Sequence, residues 1–141
     1  MNERAQIGIA QGVLGFVPRA AAPGSSTWDY AVRPEHFNPH GVLHGGVIMA
    51  LLDTAMGYAV AEALAPEGAF NLAAQMNTHF LEPVRAGTVT ARATVRRQGR
   101  RVAVVEAEAT DDTGRVVAIA TATHAVIRPK APPAPAPDHS R

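Results

Sequence analysis

Between residues 45 and 61, the only side chain charged at neutral pH is Asp53. A lone carboxylate midway along an apolar helix is costly to bury in ionised form without partners. Burial would favour its protonated form, moving the group toward the range where a carboxyl can serve as general base or nucleophile near neutral pH. An acid that caps a neighbouring loop, or bonds across an interface between chains, would satisfy the same position. Just ahead of it, Leu43-His44-Gly45-Gly46 sets two glycines where the first free N–H groups of a helix point outward. Glycine admits close backbone approach and a helix N-terminus favours negative charge, which together equip an oxyanion hole. By itself, a Gly-Gly pair before a helix is equally a plain turn.

A second concentration of chemistry is cationic. Half of the arginines lie between residues 85 and 101, with no acidic residue among them. Such a cluster suits phosphate groups, with Arg97, Gly99 and Arg100 foremost. It also suits an exposed hairpin whose charge protects a sheet edge. The cluster is too local for general nucleic-acid binding and lacks stacking aromatics. His36, His40 and His44 have the spacing of a metal stripe on a helix, but Pro39 and Gly41 forbid that helix. No cysteine or carboxylate cluster completes a tetrahedral set, so neither a metal nor another cofactor is expected. His79 and His124 fall on expected strands and read as hydrogen-bonded core or interface residues.

The elements that must position these residues are legible from periodicity. Residues 25–33 read as a first strand and 35–43 as an irregular loop punctuated by Pro39 and Gly41. Residues 46–64 carry the strongest helix pattern, which stops at Pro66 and Gly68. Four further strands are expected over 71–81, 88–97, 101–111 and 115–127, joined as an antiparallel meander by short Gly-marked turns. The helix is uncharged nearly all round, which predicts burial on both sides: part under a curled sheet, the rest against a second subunit.

Whole-chain composition sets the limits. The 141 residues allow one domain, and 28 Ala and 15 Val against 5% aromatics predict a core of small side chains with closely approaching elements. Net charge is +1, which gives no general attraction to nucleic acid or an anionic membrane. The absence of cysteine excludes disulfides and a thiol nucleophile. No apolar run is read as a membrane span. Residues 5–17 are mildly apolar, but Gln6 and Gln11 interrupt them, so the expected location is cytoplasmic. The domain reading is an N-terminal segment of short helix and loop over 1–24, a globular domain over 25–128, and a Pro/Ala-rich disordered tail over 129–141.

Taken together, Asn38-Pro39-His40-Gly41-Val42-Leu43-His44-Gly45-Gly46, followed by Leu52-Asp53-Thr54-Ala55 and Gly57, resembles the hotdog-fold thioesterases of the PaaI-like, phenylacetate-degradation type. That family's pattern is an Asn, a Gly, HGG, then an Asp eight residues after the first Gly of the pair; Gly45 and Asp53 have that spacing. Asn77-Thr78-His79-Phe80-Leu81-Glu82-Pro83 is similar to the family's second strand, and Arg97-Gln98-Gly99-Arg100 and Asp111-Asp112-Thr113-Gly114-Arg115 to its hairpin turns.

The resemblance implies an α+β hotdog fold, a long central helix wrapped by a curved antiparallel sheet. Subunits would pair as a homodimer or a dimer of dimers. It also implies hydrolysis of acyl-CoA thioesters, aromatic such as phenylacetyl-CoA or medium-chain fatty acyl-CoA, to free acid and coenzyme A. Asp53 would then activate water or attack the carbonyl, and the Gly45 N–H would polarise it. Asn38, from the partner subunit or from the loop beside it, would orient water or thioester, and His44 would shape the pocket. Gly46, Arg97, Gly99 and Arg100 would hold coenzyme A. One bound thioester would touch Asp53 and the helix entrance at once, in a crevice leading to the cationic hairpin. The family often places Ser or Thr on its second strand to help hold the water; Ala73 stands there, with Gln75 or Asn77 as substitutes. Two other readings remain: a hotdog enoyl-CoA hydratase or dehydratase, whose loop would want an Asp where His36 stands, and a non-catalytic acyl-CoA-binding protein.

Overall fold

The computed structural model describes residues 8–130. Six strands form one antiparallel sheet: β1 (Val17–Ala22), β2 (Ser25–Ala31), β3 (Phe70–Phe80), β4 (Thr88–Gln98), β5 (Val102–Thr110) and β6 (Val116–Ile127). Their order across the sheet is β1-β2-β4-β5-β6-β3. A short helix, α1 (Ile9–Gly12), precedes them, and the long helix α2 (Gly45–Leu64) lies across the concave face. This is the hotdog arrangement that the resemblance implies.

Small side chains let α2 sit close to the sheet. Ala91, Ala93, Ala103, Ala107, Ala109, Ala118, Ala120 and Ala122 are all buried, and they meet Ile48, Leu51, Leu52, Ala55, Met56, Ala59, Val60 and Leu64 of the helix. The approach is tight enough for the Ser26 hydroxyl to donate to the Ala55 carbonyl at 2.5 Å, and for Gly24 N–H to donate to the Ala59 carbonyl at 3.2 Å. His44 caps α2, its Nδ1 accepting from Gly46 N–H at 2.8 Å. A turn of tighter helix over Ala65–Glu67 and the left-handed Gly68 (φ 62°) end the element.

Three expectations are corrected. The last four strands are not a simple meander: β3 pairs with β6 at the far edge, and β4 pairs with β2. The linker over 81–87 is no hairpin turn, because it crosses the sheet end, buries Val84 and accepts at the Val84 carbonyl from Leu43 N–H at 2.8 Å. Residues 17–22, expected as loop, form β1; an edge strand tolerates Pro18 and a bulge at Arg19. Finally, Gly45–Glu67 is long and apolar enough to cross a membrane by length and composition, yet its buried residues form the centre of this core. From residue 131 onward, the expected tail lies outside the described residues.

Candidate active site

Asp53 sits two turns into α2, but the structure does not bury it. The sheet covers only one side of the helix. Gly46 and Asp53 on the other side are exposed, with Met49, Ala50, Thr54 and Gly57 half-buried beside them. The desolvation expected of Asp53 therefore does not arise within one chain. An uncharged helix surface reads alike whether a sheet or a second chain covers it, which is why sequence could not separate the two cases. No local side chain pins the carboxylate among the described hydrogen bonds and ion pairs, so it is free to act on a ligand.

At the helix entrance, Gly45 N–H has no intrahelical acceptor. The Phe80 ring packs so closely over it that a Cβ at this position would lie 3.0 Å from Cζ. Asn38 is spent partly on its own loop: Oδ1 accepts from His40 N–H at 2.9 Å and from Val42 N–H at 3.3 Å. That leaves the Asn38 Nδ2 group as a donor, which suits a carbonyl oxygen better than it suits activating water. His44, with Nδ1 accepting from Gly46, carries its proton on Nε2. Beside this entrance a largely apolar cavity of about 390 Å³ is lined by Gly45, Ile48, Phe80, Leu81, Pro83 and Val84.

Gly45 and Asp53 are eight residues apart, or about 12 Å along the helix axis at 1.5 Å per residue. A thioester cannot place one carbonyl on the Gly45 N–H and its attacking water on Asp53 of the same chain. The crevice expected to run from Asp53 past the helix entrance is accordingly not formed within one chain, and Asp53 does not line the cavity beside Gly45. The cationic hairpin lies at the opposite end of α2 from Gly45. Arg128 joins it to that end, bonding Glu67 at 2.6 Å and the Arg100 carbonyl. Arg97 and Arg100 are exposed and form no ion pair among the described residues, whereas Arg96 binds Glu106. Gly99 is required by close approach, since a Cβ there would meet the Val102 carbonyl oxygen at 2.6 Å.

The substitutes expected near Ala73 are not where they were sought. A bulge between Ala73 and Gln75 shifts the register. Asn77 consequently lines a groove on the outer face with His79, Arg92 and Glu106, and Gln75 shares that side. What approaches Asp53's side of the helix is Asn71 and His124. Asn71 Nδ2 donates to the Gly57 carbonyl at 3.0 Å, and its Oδ1 lies 2.8 Å from His124 Nδ1. His124 is 1% exposed, which lowers its proton affinity by desolvation while the Asp53 charge pulls the other way. Its Nε2 is buried without a partner, as is Thr78 Oγ1; leaving such an atom unpaired costs about 1–3 kcal/mol. The reading of His124 as a hydrogen-bonded core residue holds. Asn71 was missed altogether, and an Asn at the start of a strand carries no local signal that could have exposed it. His36 bonds Tyr30 Oη at 2.7 Å and His44 caps α2, so these two histidines serve separate local roles.

Comparison with known proteins gives a consistent picture. The family model described as "Thioesterase superfamily" matches residues 40–118. The 1,4-dihydroxy-2-naphthoyl-CoA hydrolase of Listeria monocytogenes is 31% identical over 117 residues, covering 82% of this chain and 94% of that protein. Thioesterase HI1161 from Haemophilus influenzae superposes with a TM-score of 0.79 at 32% identity, over 84% of this chain and 82% of that one. The E. coli PaaI protein from the phenylacetic acid degradation operon superposes at 0.81 with 28% identity, over 88% of each chain.

Proposed function

The chain belongs to the thioesterase superfamily, and from that premise we propose that it hydrolyses acyl-CoA thioesters at a site shared between two copies of itself. The observation that carries the reading is the unpinned Asp53 carboxylate on the uncovered side of α2, about 12 Å from the free Gly45 N–H of its own chain. Two copies related by a two-fold axis near Met49 would set Gly45 of each beside the other's Asp53. The same pairing would cover the half-exposed side of α2 and the open edge of β3, where Phe70, Leu72, Phe80 and Leu81 are exposed.

In that site the acyl group enters the apolar cavity beside Gly45, and the thioester oxygen takes hydrogen bonds from Gly45 N–H and Asn38 Nδ2. His44 forms the wall at the entrance. Asp53 from the other copy removes a proton from water as it attacks the carbonyl carbon. A thioester suits so spare a site, because sulfur donates weakly into the carbonyl and thiolate leaves readily. Arg97 and Arg100 on the hairpin beyond Asp53 receive the phosphates of coenzyme A, with Gly99 shaping the turn. Aromatic and medium-chain acyl groups both suit an apolar cavity of this size.

The test is a panel of acyl-CoAs with free thiol followed over time, on the wild type and on Asp53→Asn. Thiol release by the wild type, lowered about 100-fold or more in the variant at unchanged folding, supports the reading. Consumption of a 2-enoyl-CoA without thiol would instead identify a hydratase, and binding without turnover a carrier.

A further inference from the structure

Residues 36–44 form a small closed ladder ahead of α2. His44 N–H donates to the His36 carbonyl at 2.9 Å, Phe37 and Leu43 pair as an antiparallel bridge, and Asn38 N–H donates to the Val42 carbonyl at 2.8 Å. Both donors of the proposed site hang from this ladder, Asn38 Nδ2 on its first arm and Gly45 N–H directly after its second. The second arm is tied down by Leu43 N–H on the Val84 carbonyl. The first arm is tied down through a side chain: His36 Nδ1 lies 2.7 Å from Tyr30 Oη, with the two rings stacked at 5.8 Å between centroids. Tyr30 is 1% exposed on β2, and Phe16 meets its ring edge-on at 5.5 Å. The Tyr30 oxygen already accepts from Arg33 N–H at 3.1 Å, so its own proton goes to His36 Nδ1. Burial pushes the Tyr30 hydroxyl above its ordinary value of 10.0, which keeps that proton in place for donation.

Resting on the thioester-hydrolase reading above, we propose that Tyr30 and His36 are positioning residues, which set the Asn38 Nδ2 and Gly45 N–H donors against one thioester oxygen. Neither touches the substrate. The rungs of the ladder fix its two arms relative to each other, but so short a ladder can tilt as a unit. The Val84 bond holds the arm that leads into α2. On the other arm, the bond from Tyr30 Oη to His36 is the one side-chain hydrogen bond to the sheet among the described residues. Phe37 also rests on the core, yet apolar contact is non-directional, whereas a hydrogen bond sets both distance and angle. Two donors stabilise an oxyanion together only when both lie about 2.7–3.1 Å from where the charge develops. A drift of about 1 Å in Asn38 would cost up to about 100-fold in rate. Because the charge on that oxygen appears in the transition state, the loss falls on kcat rather than on KM.

Three substitutions separate positioning from packing. Tyr30→Phe removes the hydroxyl and keeps the packed ring. His36→Phe keeps a ring to stack on Tyr30 but has no acceptor, and His36→Asn restores an acceptor where Nδ1 was. The two Phe variants are expected to lose about 10- to 100-fold in kcat with KM little changed, and His36→Asn to recover most of that loss. Amide hydrogen exchange supplies a readout independent of turnover. The Asn38 and His44 amides should exchange faster in both Phe variants and slow again in His36→Asn, while amides in the buried centre of α2 keep their wild-type rates. Wild-type kcat in the Phe variants, an equal loss in all three, or faster exchange spread along the whole of α2 would each overturn the proposal. Should the wild type hydrolyse no acyl-CoA, the enzymatic reading fails on its own. The exchange rates then decide separately whether Tyr30 and His36 hold the ladder, and unchanged rates at Asn38 and His44 would show that they do not.

Discussion

Asp53 on α2 and His124 on β6 are two groups of opposite exposure on the same side of the helix. The carboxylate is open to solvent on the single chain, whereas the imidazole is sealed between α2, β3 and β6. Burial holds His124 below its ordinary value of 6.5, with Asp53 only partly offsetting it. The unfolded chain therefore binds the extra proton first, and below about pH 6.5 stability falls as pH falls toward the folded-state value. Above that pH the histidine contributes no such penalty. Melting temperature measured between pH 8 and 5 should accordingly drop more in the wild type than in His124→Asn, and equal slopes would show that the ring is not buried neutral.

In the proposed site, α2 and the β4–β5 hairpin divide the work. α2 carries the N–H donor at its start and the carboxylate in its middle, an axial separation that no rotamer can close. The hairpin turns at Gly99, where the backbone of Val102 leaves no room for a side chain, and so projects Arg97 and Arg100 at the far end of the helix. Arg100→Ala should raise KM for acyl-CoA substrates by about 5- to 10-fold, since one charge-assisted phosphate contact is worth about 1–1.5 kcal/mol at an exposed site. It should leave short N-acetylcysteamine thioesters, which lack the phosphates, nearly unaffected. Equal losses on both would remove the hairpin from coenzyme A binding.

For the molecule as a whole, the proposed site closes only when two chains meet. Gly45→Pro is a suitable complement to Asp53→Asn, because proline is tolerated in the first helical position and His44 already has the extended backbone (φ −61°, ψ 131°) that precedes proline. The Phe80 ring must give slightly to admit it. Each variant alone should be inactive. After dissociation and mixing in equal amounts, about half of the dimers would be mixed and each would hold one intact site, restoring about a quarter of wild-type activity. No recovery from a mixture shown to exchange subunits would place both groups in one chain.

Much of this was legible without coordinates. The HGG entrance, the lone Asp53 and the strong helix pattern specify α2 and where its free N–H and its carboxylate fall, because helix signals and charge placement are local properties of the chain. The short Gly-marked joints between β4, β5 and β6 likewise foretold their antiparallel pairing. What only tertiary structure decided was long-range: that β3 crosses to the far edge beside β6, that a bulge turns Gln75 and Asn77 outward, and that Asn71 meets His124 across 53 residues of sequence. Hydrophobicity records that a surface avoids water, not which partner covers it. For that reason the uncharged helix could be read in advance, while the side of it left open at Asp53 could not.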